Sequence, residues 1–219
     1  MTDIGQDAFS ETSWYDNQPD GLVYVGKVAY AYKGDMPSGT RIRIQAETKG
    51  IAGGAFSGRD NLVVVTIPNS VVSIGNSAFS SCSRLTSINI PANVTYIGPY
   101  AFSYCSLLSS IAIPNGVKTI YNYTFSNCTS LATVIIGKGV ESYYYDAFYN
   151  CVSLTDVYCY REAVAGSYNT SFSGKTDVSN ATLHVPAGSV EAYRAASTWG
   201  MFGEIVAIAS DEMSGSSMR

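Results

Sequence analysis

The sequence predicts a right-handed solenoid, β-dominated with little helix, in which 23-residue repeats build a parallel concave sheet. Three observations carry this. Phe56, Phe79, Phe102, Phe125 and Phe148 recur at a spacing of 23, and Cys82, Cys105, Cys128 and Cys151 follow three residues after the last four of them. Six residues after each phenylalanine stands Leu62, Leu85, Leu108, Leu131 or Leu154, followed by a branched pair such as Ile88 and Ile90 or Ile111 and Ile113. Pro68, Pro91 and Pro114 mark a turn, and each row closes on Val71 with Ile74, Val94 with Ile97, or Val117 with Ile120. No helical period of 3.6 places apolar residues in this way over a whole row, whereas one coil of a solenoid does.

Each row reads as an alternating strand (Leu85 to Ile90), a proline turn, a second extended piece (Val94 to Ile97) and a tight turn carrying Ala-Phe. One coil cannot bury its own apolar residues. Stacked coils, roughly 4.8 Å apart at strand spacing, close a continuous core of phenylalanine, leucine and isoleucine.

At its start the pattern is already under way, since Ile4-Gly5 matches Ile74-Gly75 and Ala8-Phe9 matches Ala78-Phe79. The natural protein is expected to begin upstream, because Met1-Thr2-Asp3 introduces no secretion signal. Phe9 lies 47 residues before Phe56, two rows plus one residue, which places an irregularity between Trp14 and Gly39. There, Leu22 to Val25 and Val28 to Tyr32 flank Gly26-Lys27 and predict a β-hairpin that replaces a coil and covers an open sheet edge.

After Tyr160 the register loosens: 161–180 is rich in Gly, Ser, Asn and Thr, and Phe172 comes 24 residues after Phe148. Pairing resumes at Thr182 to Val185. Ser189 is placed to cap a short helix through about Ala196, with Val190 and Tyr193 on one face and Trp199, Phe202 and Ile205 closing the core. The expected organisation is one domain over 1–209: a partial repeat and hairpin cap at 1–40, regular repeats at 41–160, and an irregular last coil and cap at 161–209. A flexible tail at 210–219 follows.

Composition narrows the function. Of the 219 residues 46% are hydrophobic and only 14% charged, which suits a folded solenoid with uncharged turns. A net charge of −4 with scattered Lys and Arg excludes a nucleic-acid partner, and the absence of an 18-residue apolar run excludes a membrane-spanning segment.

The quoted rows resemble the BspA-type leucine-rich-repeat proteins of bacterial surfaces. The resemblance covers about residues 4–160, and the segment from Ala181 to Ile208 is similar to the closing segment of such proteins. In place of an asparagine column after the strand, this chain carries Ser70, Asn93, Gly116 and Gly139. The resemblance implies an α/β leucine-rich-repeat fold and a noncatalytic extracellular or cell-surface module, adhesin-like, that recognises host or microbial macromolecules. Recognition of a glycan or peptide by the concave sheet, or a structural spacer presenting another domain, stand as alternatives.

Candidate chemistry is sparse. Four stacked cysteines spread over roughly 14 Å cannot share one zinc, and parallel side chains aim alike rather than at each other, so free buried thiols are expected, with Cys159 a small core residue in the column of Ile136. No metal or other cofactor is expected. His184 is the lone histidine; near it stand Asp156 and Thr182, without a nucleophile elbow, phosphate loop or carboxylate pair, so no enzyme is predicted. The sequons at Asn93, Asn122, Asn127, Asn169 and Asn180 are what this composition generates by chance.

Strand alternation turns two columns outward: Arg41, Val64, Ser87, Ser110, Thr133, Asp156 and Thr182, and Arg43, Thr66, Asn89, Ala112, Ile135, Tyr158 and His184. Small side chains fill the middle, whereas Asp156, Tyr158, Tyr160 and His184 gather at the C-terminal end and form the candidate ligand-binding site for a protein or glycan, on a chain expected to be monomeric. Tyr143 is assigned to the core, with Tyr144 and Tyr145 at the convex surface as a second place where a partner could touch.

Overall fold

A computed structural model describes residues 4–164, 166–167 and 171–209. A short helix α1 (Ser13–Asp16) precedes a hairpin of β1 (Gly21–Val25) and β2 (Val28–Lys33). Long and short strands then alternate: β3 (Thr40–Arg43), β4 (Gly50–Ile51), β5 (Leu62–Thr66), β6 (Ser73–Ile74), β7 (Ser87–Asn89), β8 (Tyr96–Ile97), β9 (Ser110–Ile113) and β10 (Thr119–Ile120). The series continues with β11 (Thr133–Ile136), β12 (Ser142–Tyr143), β13 (Asp156–Cys159), β14 (Gly166–Ser167), β15 (Thr182–Val185) and β16 (Glu204–Ala207), with helix α2 (Val190–Ala195) before the last strand. The predicted tail at 210–219 lies outside the described residues.

Long strands stack in the orders β3-β5-β7 and β9-β11-β13-β15-β16, and the short ones in the orders β4-β6-β8, which the hairpin extends as β1-β2-β4-β6-β8, and β10-β12-β14. Among the described residues every strand pairing is parallel except the hairpin. Partners lie one row apart, as with Val134 beside Ile111 and Val157, so the sequence rows are the physical coils.

Both faces part at the same level, between β7 and β9 and between β8 and β10. In the preceding coils Gly75 and Gly98 lie so close to their neighbours that an added Cβ would come 2.5 Å from Gly53 N and 2.4 Å from Asn76 Oδ1. At the same position the next coil carries Tyr121. The short-strand ladder parts where this glycine gives way to a side chain.

The turns around each phenylalanine form a third ladder. Two residues before and two after each phenylalanine the backbone is left-handed: Ser77, Tyr100, Tyr123 and Asp146 on one side, Ser81, Tyr104, Asn127 and Asn150 on the other, with φ between 53° and 60°. Such a conformation costs a non-glycine residue roughly 1–2 kcal/mol. It is offset by aiming alternate N–H groups along the solenoid axis: Tyr100, Phe102 and Tyr104 donate to Asn122, Thr124 and Ser126 at 3.3, 2.9 and 2.8 Å. Intervening amides close their own turn, as in Ser103 to Tyr100 and Cys105 to Phe102. Nearly every backbone donor of this stretch is thus satisfied.

Inside, Phe56, Phe79, Phe102 and Phe125 stack with centroids 5.1, 5.4 and 5.6 Å apart and planes within 4°. Phe148 and Phe172 extend the column, so the enlarged spacing of 24 is absorbed in the loop and leaves the core register intact.

The cysteine column serves as a row of hydrogen-bond donors. Cys82, Cys105, Cys128 and Cys151 point Sγ at the carbonyls of Phe56, Phe79, Phe102 and Phe125 in the preceding coil, at 3.1 to 3.2 Å. A small, buried, weakly polar side chain suits the site. All five cysteines are free and buried. Burial pushes Cys82 and Cys151 up to about 12, and Cys105 and Cys128 well above the ordinary thiol value. At the two ends stronger donors replace the thiol: Arg59 reaches the Tyr32 carbonyl at 2.6 Å, and the Thr176 hydroxyl reaches that of Phe148 at 2.6 Å.

Three local expectations are revised. Phe9 has the repeat's turn geometry, with left-handed Asp7 and Glu11 on either side, yet it packs on Trp14 and Tyr30 in a satellite cluster with Ile4, Val23 and Val28. The hairpin's β2 occupies its place in the coil, pairing with β4. Ser189 precedes α2 but makes no side-chain cap; its hydroxyl donates to the Glu162 carbonyl at 2.6 Å, which ties the helix to the last coil. Helix α1, not foreseen, is capped by the Thr12 hydroxyl, which accepts from Tyr15 N.

Candidate functional site

The two outward columns are physical rows: β3 to β5 to β7 align Arg41, Val64 and Ser87, and β9 to β15 align Ser110, Thr133, Asp156 and Thr182 beside Ala112, Ile135, Tyr158 and His184. Strand β16 continues them with Glu204 and Val206. The face is therefore uncharged in the middle and acidic and aromatic at its C-terminal end.

At that end three predicted residues touch. The Tyr158 ring lies flat on His184, centroids 4.0 Å apart and planes within 5°, as direct register partners on β13 and β15. His184 Nε2 reaches diagonally to Asp156 Oδ1 at 3.0 Å. That bond is the main reason the Asp156 carboxyl is held below its usual range, against a smaller opposing effect of burial. An ionised carboxylate only accepts, so Nε2 carries the proton and, in the neutral ring, Nδ1 is an acceptor. The unit presents a fixed anion, a stacked aromatic pair and an imidazole edge.

The fourth predicted residue, Tyr160, stands just past β13 and lines a shallow groove with Lys138, Arg161, Glu162 and Ala163. Arg161 Nε is buried and has no hydrogen-bond partner among the described residues. Beneath lies a polar cluster in the core, where Cys159 Sγ sits 3.3 Å from the Tyr193 hydroxyl and 3.9 Å from that of Tyr143. Cysteine in the isoleucine column leaves room for both phenols. Tyr193 donates onward to the Arg161 carbonyl, so α2 holds the strand end that carries Tyr160.

His184 is engaged by Asp156 through Nε2 and by Tyr158 through its ring face. Among the described residues no three metal-ligating side chains converge, and no helix is long and apolar enough to cross a membrane.

A second surface, only partly foreseen, lies on the tyrosine side of the coils. Tyr143 is buried as expected, while Tyr145 is 45% exposed. One file runs Tyr96, Tyr121 and Tyr144, with centroids 5.7 Å apart. The other runs Tyr100, Tyr123 and Tyr145, at 4.9 and 5.8 Å. The signal available in the sequence was tyrosine two residues before the column phenylalanine, at Tyr100 and Tyr123.

A family profile described as BspA type leucine rich repeat region matches in six copies, over residues 1–109, 24–155 and 98–191. Among solved structures the chain is similar to a leucine-rich-repeat protein of T. pallidum (TM-score 0.56, 30% identity, 60% of this chain and 62% of that one). It is also similar to one from Eubacterium ventriosum (0.56, 30%, 60% and 35%). The pneumococcal vaccine antigen PcpA shares the fold (0.63, 17%, 77% and 41%). The chain thus spans less than two thirds of the length of each. No curated protein matches it.

Proposed function

The chain belongs to the BspA-type leucine-rich-repeat family, and from that premise we propose that it is a noncatalytic extracellular or cell-surface binding module, adhesin-like, acting as a monomeric single domain on a protein or glycan. The site is the C-terminal end of the long-strand face: Asp156, Tyr158 and His184, with Tyr160 in the adjoining groove.

One observation carries the reading. Tyr158, His184 and Asp156 already hold one another in a fixed arrangement, with the rings stacked at 4.0 Å and the imidazole bonded at 3.0 Å. A ligand that meets this unit orders little on binding, so contact energy is kept as affinity. The remaining face offers only serine, alanine, threonine, asparagine and the half-buried Ile135 in its middle rows, with no comparable anchor. A spacer that only presents another domain has no use for such an arrangement.

Replacing Tyr158 and His184 together with alanine should abolish binding to whichever partner a glycan array or a pull-down identifies for the intact chain. The melting temperature should stay nearly unchanged, because both side chains lie outside the core. Undiminished binding by the double variant would reject this site.

A further inference from the structure

We infer that the tyrosine side of the middle coils is a second, separate binding surface, and that its ligand is an extended polysaccharide of uncharged sugars. Tyr96, Tyr121 and Tyr144 form one file and Tyr100, Tyr123 and Tyr145 the other, on consecutive coils. Tyr100 and Tyr145 are 41% and 45% exposed, and Tyr104, on the far side of the same turn, is 57% exposed. Aromatic area of this extent on successive coils is more than a solenoid needs to close its core.

The surface is uncharged to a degree that selects its ligand. Between Leu85 and Gly137 the sole charged residue is Lys118, and that ammonium is held at 2.9 Å by Glu141. Asp146, at the C-terminal edge, is engaged by the Tyr123 and Ser173 hydroxyls. A folded protein partner carries charge on about a quarter of its residues, and those pressed onto this face would lose water and gain no counter-charge. A neutral sugar brings hydroxyls and apolar C–H faces, which phenol tips and ring faces complement.

Geometry supports the same class. The files advance by one coil, close to the strand spacing of about 4.8 Å, and a linear polysaccharide advances by a similar step per sugar. At the N-terminal end of its file, Tyr100 is followed by the small Ser77 in the same column, which leaves a ring face for a sugar to stack on. The turns are rigid, because Tyr100 and Tyr104 hold left-handed backbone whose amides bond to the next coil. The phenols are therefore positioned before the ligand arrives.

The test is affinity electrophoresis of the intact chain through gels containing soluble starch, mixed-linkage β-glucan or galactomannan, with polygalacturonate as the acidic comparison. At least one neutral polymer should retard the chain, equally in low and high salt. The triple variant Tyr100→Ser, Tyr123→Ser and Tyr145→Ser should abolish the retardation with an unchanged circular dichroism spectrum; serine is already accommodated at Ser77 in the left-handed position of Tyr100 and Tyr123, and Tyr145 is 45% exposed. Failure of every neutral polymer to retard the chain, retardation by polygalacturonate alone, or retention by the triple variant overturns the inference. Retardation that survives the triple variant but is lost in Tyr158→Ala/His184→Ala also overturns it, and leaves the long-strand site standing.

Discussion

The central coils, around Phe79 to Phe125, and the C-terminal coils, from Phe148 to Ile205, share one register but differ in how they use it. In the centre each ring lies between two like rings, with planes within 4°, and each cysteine repeats the same bond to the coil before it. At the C-terminal end the stack stops. Phe172 meets Trp199 at 71° and Phe202 at 85°, and Trp199 also packs edge-on against Tyr143 and Tyr193. A residue between identical neighbours must match both of them, whereas the last coil matches a neighbour on one side only. Variety accumulates toward that end, where successive coils are no longer alike, and Tyr158, His184 and the Tyr160 groove lie there.

The largest expected effect breaks the central region. Phe102→Ala removes a fully buried ring from between two others and should cost about 3–5 kcal/mol, because coils fixed by ladders on either side cannot close the cavity. Trp199→Ala removes comparable buried volume at the end. Denaturant unfolding of Phe102→Ala should show a much lower midpoint, with hydrogen-exchange protection lost in both flanking coils. In Trp199→Ala the loss of protection should stay within about residues 143–208. Equal spreading in both variants would erase the distinction between centre and end.

A smaller effect is expected from the donor column. Cys128→Ala deletes the bond to the Phe102 carbonyl, which still accepts from Cys105 N, so the cost should be about 1 kcal/mol. Cys128→Ser should recover part of it, as Thr176 does naturally at the end of the column. In the unmodified protein all five thiols should react with a thiol reagent only after denaturant is added, since burial shields every one of them and also raises the pKa of the four in the column, Cys82, Cys105, Cys128 and Cys151. A Cys105–Cys128 disulfide found by mass spectrometry would contradict the ladder geometry.

What the sequence discloses follows from these constraints. Phenylalanine, leucine, isoleucine and cysteine columns are legible because burial between like neighbours leaves one residue type per position. Phe9 shows the limit: its local turn is that of the repeat, yet a register displaced by one residue docks it on Tyr30, and only tertiary packing decides that. Left-handed tyrosines at Tyr100 and Tyr123 are not legible, since tyrosine is a poor residue for that backbone and the amides that stabilise it belong to the next coil. Within the candidate site the Tyr158–His184 stack follows directly from register. The His184–Asp156 bond does not, because it runs diagonally between columns that alternation alone keeps apart.

That diagonal bond gives the smallest and most local prediction. Asp156 has its carboxyl pKa lowered, chiefly by the bond from His184. A group whose folded-state pKa is depressed contributes stability that is present above its unfolded value, near 3.8, and is lost as pH falls through the lower folded value. Its contribution should therefore be complete at neutral pH and vanish only in acid. Asp156 is partly exposed, so solvent screens the effect and the change in global stability should be slight. The informative measurement is local: carbon-detected NMR titration of the Asp156 carboxyl should give a midpoint below that of an unperturbed aspartate, and His184→Ala should move it back up. Since the central coils carry no corresponding pair in their outward columns, this change should leave their amide shifts untouched. A midpoint indifferent to His184→Ala would mean that the bond does not hold the imidazole in place, and the preformed unit on which the long-strand site depends would lose its support.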